Sequence, residues 1–189
     1  MKLSARSLYI LGFLISSVTS TGQSSDNYIY WSSNRKLTLD DFGIKTSDGK
    51  AGACASQYYF SYRVTGMDFM TKNFNKKVLN CIVRSASWID TTFDVTKSLR
   101  YEQTLFDLAE IYARHFRKDL RENRKQLLKG TEFVKELSTK SMTDFAKRQV
   151  DYVSDTQFGT NAVMQERWEG IIKMELDALK EFAVDEKGS

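Results

Sequence analysis

The residue with the clearest capacity for chemistry is Glu102, in the segment LRYEQTLFDLAEIY at positions 99–112. A glutamate held on a helix can act as a general base when an electrophile lies beside it. The alternative is a solvated side chain, or one in a salt bridge with Arg100 or Arg63. The sequence favours this structural role, because an isolated glutamate on a helix more often has it.

Other combinations of reactive side chains have less support. Asp107, Glu110 and Asp155 could offer calcium the oxygen ligands it prefers, but their spacing matches no known calcium-binding loop. The single histidine, His115, lies in a basic stretch, which argues against a Ser/His/Asp triad. Neither cysteine has a histidine in its sequence context, and the chain has no glycine-rich phosphate loop. The sequence therefore predicts no hydrolase of these types.

Two strands are predicted ahead of Glu102. Residues 54–64 alternate in polarity, with Cys54, Tyr58 and Phe60 on one face, which is typical of a half-buried strand. A second strand is predicted over about 77–88. Because the two strands are neighbours in sequence, we expect them to pair in the antiparallel direction.

From residue 96 onward the apolar period becomes helical, which predicts helices for the rest of the chain. Gly130 and residues 157–161 divide this region into three predicted helices, of which the second covers about 131–153 and the third 163–184. Strands followed by helices indicate an α+β fold, with one small antiparallel sheet and three helices. The residues on the core-facing side of the first helix are Tyr101, Leu105, Leu108, Tyr112 and Phe116.

The first twenty residues have the pattern of a secretory signal peptide. Lys2 and Arg6 precede an apolar run, and small residues follow. The run is too short to span a bilayer, which takes about 20 apolar residues. We therefore expect an exported protein, periplasmic or extracellular, with a mobile segment at 21–27 and one domain at 28–185.

The charge gives little reason to expect nucleic acid as a partner. The chain has a net charge of +4, and removing Lys2 and Arg6 with the signal peptide lowers it to +2. The stretch from Arg114 to Lys129 is locally basic. We interpret it as a solvated helix face, and the alternative is a site for anionic envelope polymers or lipid.

Two cysteines, Cys54 and Cys81, lie in the predicted strands. An oxidising compartment permits a disulfide between them, and closing a loop of this length would stabilise the fold by about 3–4 kcal/mol. The alternative is a pair of small buried apolar side chains. The sequence leaves both interpretations open.

The segment around Glu102 resembles the metal helix of a family of secreted bacterial proteins described as zinc-dependent proteases and otherwise of unknown function. That helix reads H-E-Q-x-H-F-D-I-x-E-x-Y-A-R, in which two histidines one turn apart bind zinc and the glutamate is the base. A W…L-T-W-x-D-F-x-G segment opens the family's domain and S-W-[VI] precedes the helix. The matching residues here are Trp31, Leu37, Thr38, Asp41, Phe42, Gly43, Ser87, Trp88, Ile89, Glu102, Gln103, Phe106, Asp107, Glu110, Tyr112, Ala113 and Arg114.

Downstream, the family has a D-x-x-T-x-H-G segment that supplies the third histidine, followed by a glutamine and a tryptophan. This chain matches it at Thr156, Gly159, Gln165 and Trp168, and Asp155 or a residue near it holds the place of the aspartate. The resemblance covers roughly residues 28–180 and implies a zincin-like fold.

All three histidine positions depart from the family pattern, because Tyr101, Leu105 and Phe158 occupy them. His115 lies ten residues beyond Leu105, about 15 Å along a helix, and cannot replace them. A catalytic zinc needs three protein ligands and an open position, so we expect no metal, no cofactor and no conventional catalytic residue. We expect the three side chains to meet and fill the former metal pocket as apolar packing.

The resemblance therefore implies a catalytically inactive, zinc-protease-like domain that binds an unidentified protein or envelope component. Two alternatives stay open. One is an active hydrolase that keeps Glu102 as its base in an unconventional site, and the other is a binder of anionic polymers through its basic helix. A restored set of histidines would bind zinc if the three positions converge.

Overall fold

A computed structural model describes residues 27–49 and 52–184 as an α+β fold, which confirms the predicted class. The strands precede the helices, and the described part contains two small three-stranded sheets and three α-helices. The predicted signal peptide lies outside the described residues. Within those residues, no helix has the length and apolar character that a membrane crossing requires.

The first sheet consists of β1 (Tyr28–Tyr30), β4 (Tyr58–Tyr62) and β5 (Val78–Val83). Its strand order is β1-β5-β4, and it is antiparallel throughout. Tyr58 and Phe60 of β4 point into the core while Tyr59 between them is exposed, as the alternation predicted. The predicted pairing of β4 with β5 is confirmed, with Tyr58 opposite Ile82 and Tyr62 opposite Val78.

The expectation of a single antiparallel sheet is wrong, because a second sheet forms beside the first. It consists of β2 (Ile44–Thr46), β3 (Cys54–Ala55) and β6 (Trp88–Asp90). The strand order is β2-β6-β3, and the central strand β6 runs parallel to β2 and antiparallel to β3. The predicted strand over 54–64 divides where the Gln57 amide donates to Ser87 Oγ (3.1 Å).

A short 3-10 turn at Arg84–Ala86 divides the second predicted strand into β5 and β6. Gly43 packs directly on this turn, where its N–H donates to the Arg84 carbonyl (2.9 Å). A Cβ atom at position 43 would lie 2.5 Å from that carbonyl oxygen. Only glycine therefore fits here without a shift of the backbone.

The central element is the first helix, which packs between the sheets and the other two helices. Its predicted core face is confirmed, since Tyr101, Leu105, Leu108 and Phe116 are buried and Tyr112 is half-buried. The helix ends earlier than Gly130 and continues as a 3-10 helix over Arg124–Lys129. The helices are α1 (Val95–Asn123), α2 (Glu132–Thr156) and α3 (Ala162–Ala178).

The break between α2 and α3 confirms the predicted interruption at 157–161. Gln157 and Phe158 adopt left-handed backbone conformations (φ 50° and 58°), which turn the chain back along α1. Asn161 then caps α3 by accepting a hydrogen bond from the Met164 amide (3.2 Å). The helix ends at Ala178, six residues before the predicted boundary.

Candidate functional site

Tyr101 is held by aromatic packing. Its ring stacks on Tyr152 at a centroid distance of 5.2 Å, and Trp168 meets Tyr152 edge-on at 5.5 Å. The Tyr152 hydroxyl donates to the Tyr101 carbonyl (3.2 Å) and to Gln165 Oε1 (2.7 Å). The position that would hold the first histidine is therefore part of an aromatic stack that joins all three helices.

Phe158 does not fill the same space, so the expectation that three side chains meet is wrong. Its side chain is 71% exposed, because the left-handed backbone directs it away from α1. The neighbouring Gly159 contacts the helix instead, and a Cβ atom there would lie 2.9 Å from the Tyr101 Cβ. The loop thus reaches Tyr101 through its backbone, and Tyr152 supplies the packing that was expected from Phe158.

The residues at these positions do not fit a zinc ion. Leu105 and Phe158 have no donor atom, and the Tyr101 hydroxyl is a poor ligand, since burial and the nearby Glu102 raise the pKa of Tyr101. Within residues 27–49 and 52–184, no three His, Cys, Asp or Glu side chains are grouped so that they could hold a metal ion.

Glu102 is neither solvated nor salt-bridged, which corrects the sequence interpretation. It is 1% exposed and accepts a hydrogen bond from the Tyr58 hydroxyl at Oε2 (2.8 Å). The expected partner Arg100 forms a bidentate pair with Glu169 instead (2.6 and 2.8 Å). Burial raises the pKa of Glu102, and the side chains of Ser56, Tyr58 and Cys54 offset this only in part.

The two cysteines are free thiols, so the structure contains no disulfide between Cys54 and Cys81. They belong to different sheets, and each thiol donates to a backbone carbonyl, of Ser98 (3.8 Å) and of Tyr59 (3.2 Å) respectively. Burial raises the pKa of both thiols, that of Cys81 to about 12. Neither is poised as a nucleophile.

Several residues that the resemblance singled out meet on a different side of α1. The Trp31 indole N–H donates to Asp107 Oδ1 (2.8 Å), and Gln103 Nε2 donates to the same oxygen (2.9 Å). The Leu37 amide donates to Gln103 Oε1 (2.8 Å). These bonds fix the segment Trp31–Leu37 against the middle of α1.

An open cleft lies between this segment, α1 and α3. It consists of two adjoining cavities, of about 440 and 500 Å³, that share Lys36, Thr104, Asp107 and Glu169 in their walls. Glu102 lines neither cavity. We call this feature the cleft. The remaining wall residues that matter for its chemistry are Trp31, Leu37, Leu99, Arg100, Gln103, Arg114, Ile172, Lys173, Leu176, Asp177 and Lys180.

The two shared carboxylates have different surroundings. Burial raises the pKa of Asp107 although Trp31 and Gln103 donate to it. For Glu169, burial is outweighed by hydrogen bonds from Arg100 and Gln165, so its pKa is lowered. Asp107 Oδ2 lies 3.9 Å from the Lys36 ammonium, whereas both oxygens of Glu169 accept hydrogen bonds from Arg100. Asp107 therefore offers the acceptor that a ligand could reach.

The basic stretch from Arg114 to Lys129 is only partly a solvated face, because its first two arginines are buried. Arg114 and Arg117 both donate to Glu110 Oε1 (3.1 and 2.7 Å). Arg117 also donates to the carbonyls of Val78 (2.9 Å) and Phe182 (2.9 Å), which joins the first sheet to the chain beyond α3. These two charges serve the core and are unavailable to a polyanion.

The three carboxylates considered for calcium are also committed to separate partners. Glu110 belongs to the buried arginine cluster, Asp107 to the cleft, and Asp155 accepts from the Trp168 indole (3.0 Å). They do not form a group that could hold an ion within the described ranges.

Sequence reasoning also missed Tyr152 and Glu169, which act through contacts between helices.

Comparisons with protein-family models, with curated protein sequences and with solved structures find no match to this chain. The resemblance to zinc-dependent proteases therefore rests on the residues quoted above. What the fold and the site themselves define is an α+β domain with an open, mixed-charge cleft.

Proposed function

We propose that this chain is an exported, catalytically inactive domain related to zinc proteases, and that it binds a segment of a partner polypeptide in the cleft. The protease relationship is supported by the way its motif residues interact around α1. Trp31, Gln103 and Asp107 form one hydrogen-bonded set, and Asp155 with Trp168 forms another beside Tyr101.

The observation that carries the binding role is the fixed acceptor in the cleft. Two donors hold Asp107 Oδ1, so the carboxylate is oriented before any ligand arrives, and Oδ2 lies 3.9 Å from the exposed Lys36. Preorganised polar groups lower the entropic cost of binding. A peptide amide or ammonium group is the donor that such an acceptor would take.

The walls of the cleft suit a polypeptide better than a uniformly charged ligand. The half-buried Leu99 and Leu176 offer apolar surface, the buried Leu37 and Ile172 lie behind the walls, and basic and acidic side chains alternate around them. The Trp31 ring is held under the Arg114 guanidinium at 5.3 Å, which stiffens one wall. Apolar surface with a few placed polar groups is typical of a binding cleft.

An active hydrolase that uses Glu102 has less support. A general base must reach the proton that it abstracts, and Glu102 is enclosed by Tyr58 and lines neither cavity. The anionic-polymer alternative also loses two of its charges to the buried cluster around Glu110.

Selection from a random-peptide display library on the purified chain tests the proposal. Titration of the chain with a selected synthetic peptide should give binding that Asp107→Asn weakens by at least about tenfold. Oδ1 must still accept from Trp31 and Gln103, so the amide presents a donor where the carboxylate offered Oδ2 as an acceptor. Asp151→Asn, an exposed aspartate on α2 outside the cleft, is the matched control and should stay within about twofold.

The peptide should also be recovered intact after prolonged incubation, as judged by mass spectrometry. Failure to enrich any peptide, or equal effects of the two asparagine variants, would overturn the cleft as the binding site. Cleavage that Glu102→Gln abolishes would overturn the inactive-domain proposal and support a hydrolase.

A further inference from the structure

Two adjoining 3-10 helices expose three large apolar side chains outside the cleft. The helices are Gly66–Met70 and Arg124–Lys129, and they pack against each other so closely that a Cβ at Gly66 would lie 3.7 Å from the Leu127 carbonyl. Met67, Leu128 and Met70 are 67%, 66% and 65% exposed. We call these three residues, with the two short helices that carry them, the apolar tip.

The apolar tip is anchored from beneath, so its exposure is a property of the fold. Leu127 is buried in the core. Asp68 accepts from the Thr65 amide (2.7 Å) and pairs with Lys77 (2.9 Å), which fixes the first short helix on β5. Because the two short helices are held in place, their apolar side chains can enter an apolar phase without any unfolding of the backbone that carries them.

Positive charge surrounds the apolar tip. Lys72, Lys125 and Lys129 are exposed on or directly beside its two short helices, and Arg124 is half-exposed. Asp68, the carboxylate within these helices, pairs with Lys77, and the exposed Glu122 and Glu132 flank the second helix, so basic side chains outnumber acidic ones around the tip. Exposed apolar side chains among lysines are the pattern of a protein that docks on an anionic lipid surface, because the lysines reach lipid phosphates while the apolar groups enter the acyl boundary.

We infer that the apolar tip docks this domain on an anionic lipid surface, with Met67, Met70 and Leu128 inserted between the headgroups and the lysines at the phosphates. A soluble polyanion would use the lysines and gain nothing from the apolar groups. The basic residues together with the exposed apolar side chains therefore favour a lipid surface over a soluble polyanion. This inference is independent of the cleft.

Sedimentation of the chain with vesicles tests the inference. Phosphatidylcholine vesicles that contain phosphatidylglycerol should bind the chain at least about tenfold more tightly than phosphatidylcholine alone, and added salt should weaken the binding. The variant Met67→Ser/Met70→Ser/Leu128→Ser should lose at least about tenfold in partitioning.

The matched control is Met174→Ser/Val150→Ser, which changes side chains of equal exposure (66% each) on α3 and α2. It should partition within about twofold of the unmodified chain. Absence of vesicle binding, or equal effects of the two sets of serine substitutions, would overturn the inference. Binding to dextran sulfate that competes fully with vesicles and ignores the methionine substitutions would overturn it in favour of a polyanion site.

Discussion

Tyr101 has its position because of Tyr152. The Tyr152 ring covers one face of the Tyr101 phenol, and its hydroxyl donates to the Tyr101 carbonyl, so the two residues fix each other. Phe158, which the resemblance aligns with the third histidine, makes no comparable use of its ring, since most of it faces solvent. The two side chains should therefore contribute very differently to the free energy of unfolding.

Replacing Tyr101 or Phe158 by alanine should separate the two roles. Tyr101→Ala removes a buried aromatic side chain and should lower the free energy of unfolding by about 3–5 kcal/mol. Phe158→Ala removes an exposed ring and should change it by no more than about 0.5 kcal/mol. Urea denaturation followed by far-UV circular dichroism measures both, and equal losses would contradict the exposed placement of Phe158.

Glu102 gives stability a definite pH dependence. Its pKa is raised above the ordinary value of 4.5 by burial, so the folded state holds the proton more tightly than the unfolded state. The stabilisation that this contributes is complete below the unfolded pKa, and it declines as pH rises from about 4.5 through the folded pKa.

Glu102→Gln should remove this decline, because the amide does not ionise. The stability of the variant relative to the unmodified chain should therefore improve as pH rises from 4 to 8, in denaturation midpoints measured across that range. Glu136→Gln, an exposed glutamate of α2, is the control and should show no such trend. A difference that is constant with pH would contradict a buried Glu102 with a raised pKa.

At the scale of elements, the turn between α2 and α3 decides how the helices meet. Gln157, Phe158 and Gly159 all have positive φ, which reverses the chain within a few residues and sets the backbone of Gly159 against Tyr101. Thr156 supports the turn by accepting from the Gly159 amide (3.3 Å). The arrangement brings α3, with Glu169, to the edge of the cleft.

Two glycine substitutions test this turn. Gly159→Ala places a methyl group 2.9 Å from the Tyr101 Cβ at φ 78°, so it should destabilise the fold by more than about 1 kcal/mol. Gly170→Ala meets nothing within 4 Å on α3, and should stabilise by about 0.5–1 kcal/mol through helix propensity. Thermal unfolding of both variants decides the matter, and a neutral Gly159→Ala would show that the loop is held less closely.

At the scale of the whole molecule, strong local periodicity made the helices and the β4–β5 pair predictable. The stripe from Tyr101 to Phe116 repeats over four turns, and the alternation at Tyr58 and Phe60 is clear. The division of the strands was not predictable, because it depends on a hydrogen bond from Gln57 to the distant Ser87. The two sheets follow from that contact.

The cleft and the buried arginines were hidden from the sequence for the same reason. A basic residue on a helix usually faces solvent, and Arg117 is buried only because Glu110, Val78 and Phe182 offer it three acceptors from separate elements. Glu169 similarly acquires its role through Arg100 and Gln165. Of the cleft, the motif predicted Trp31, Gln103 and Asp107 as notable residues without indicating that they would bind one another.

The central claim, that this domain keeps the scaffold and lacks the metal chemistry, is tested most directly by the zinc content of the purified chain. Native mass spectrometry of the mature chain without a polyhistidine tag, equilibrated with zinc and then desalted, should show the metal-free mass, because Tyr101, Leu105 and Phe158 offer no suitable set of ligands. One zinc ion per chain that survives desalting would contradict the account.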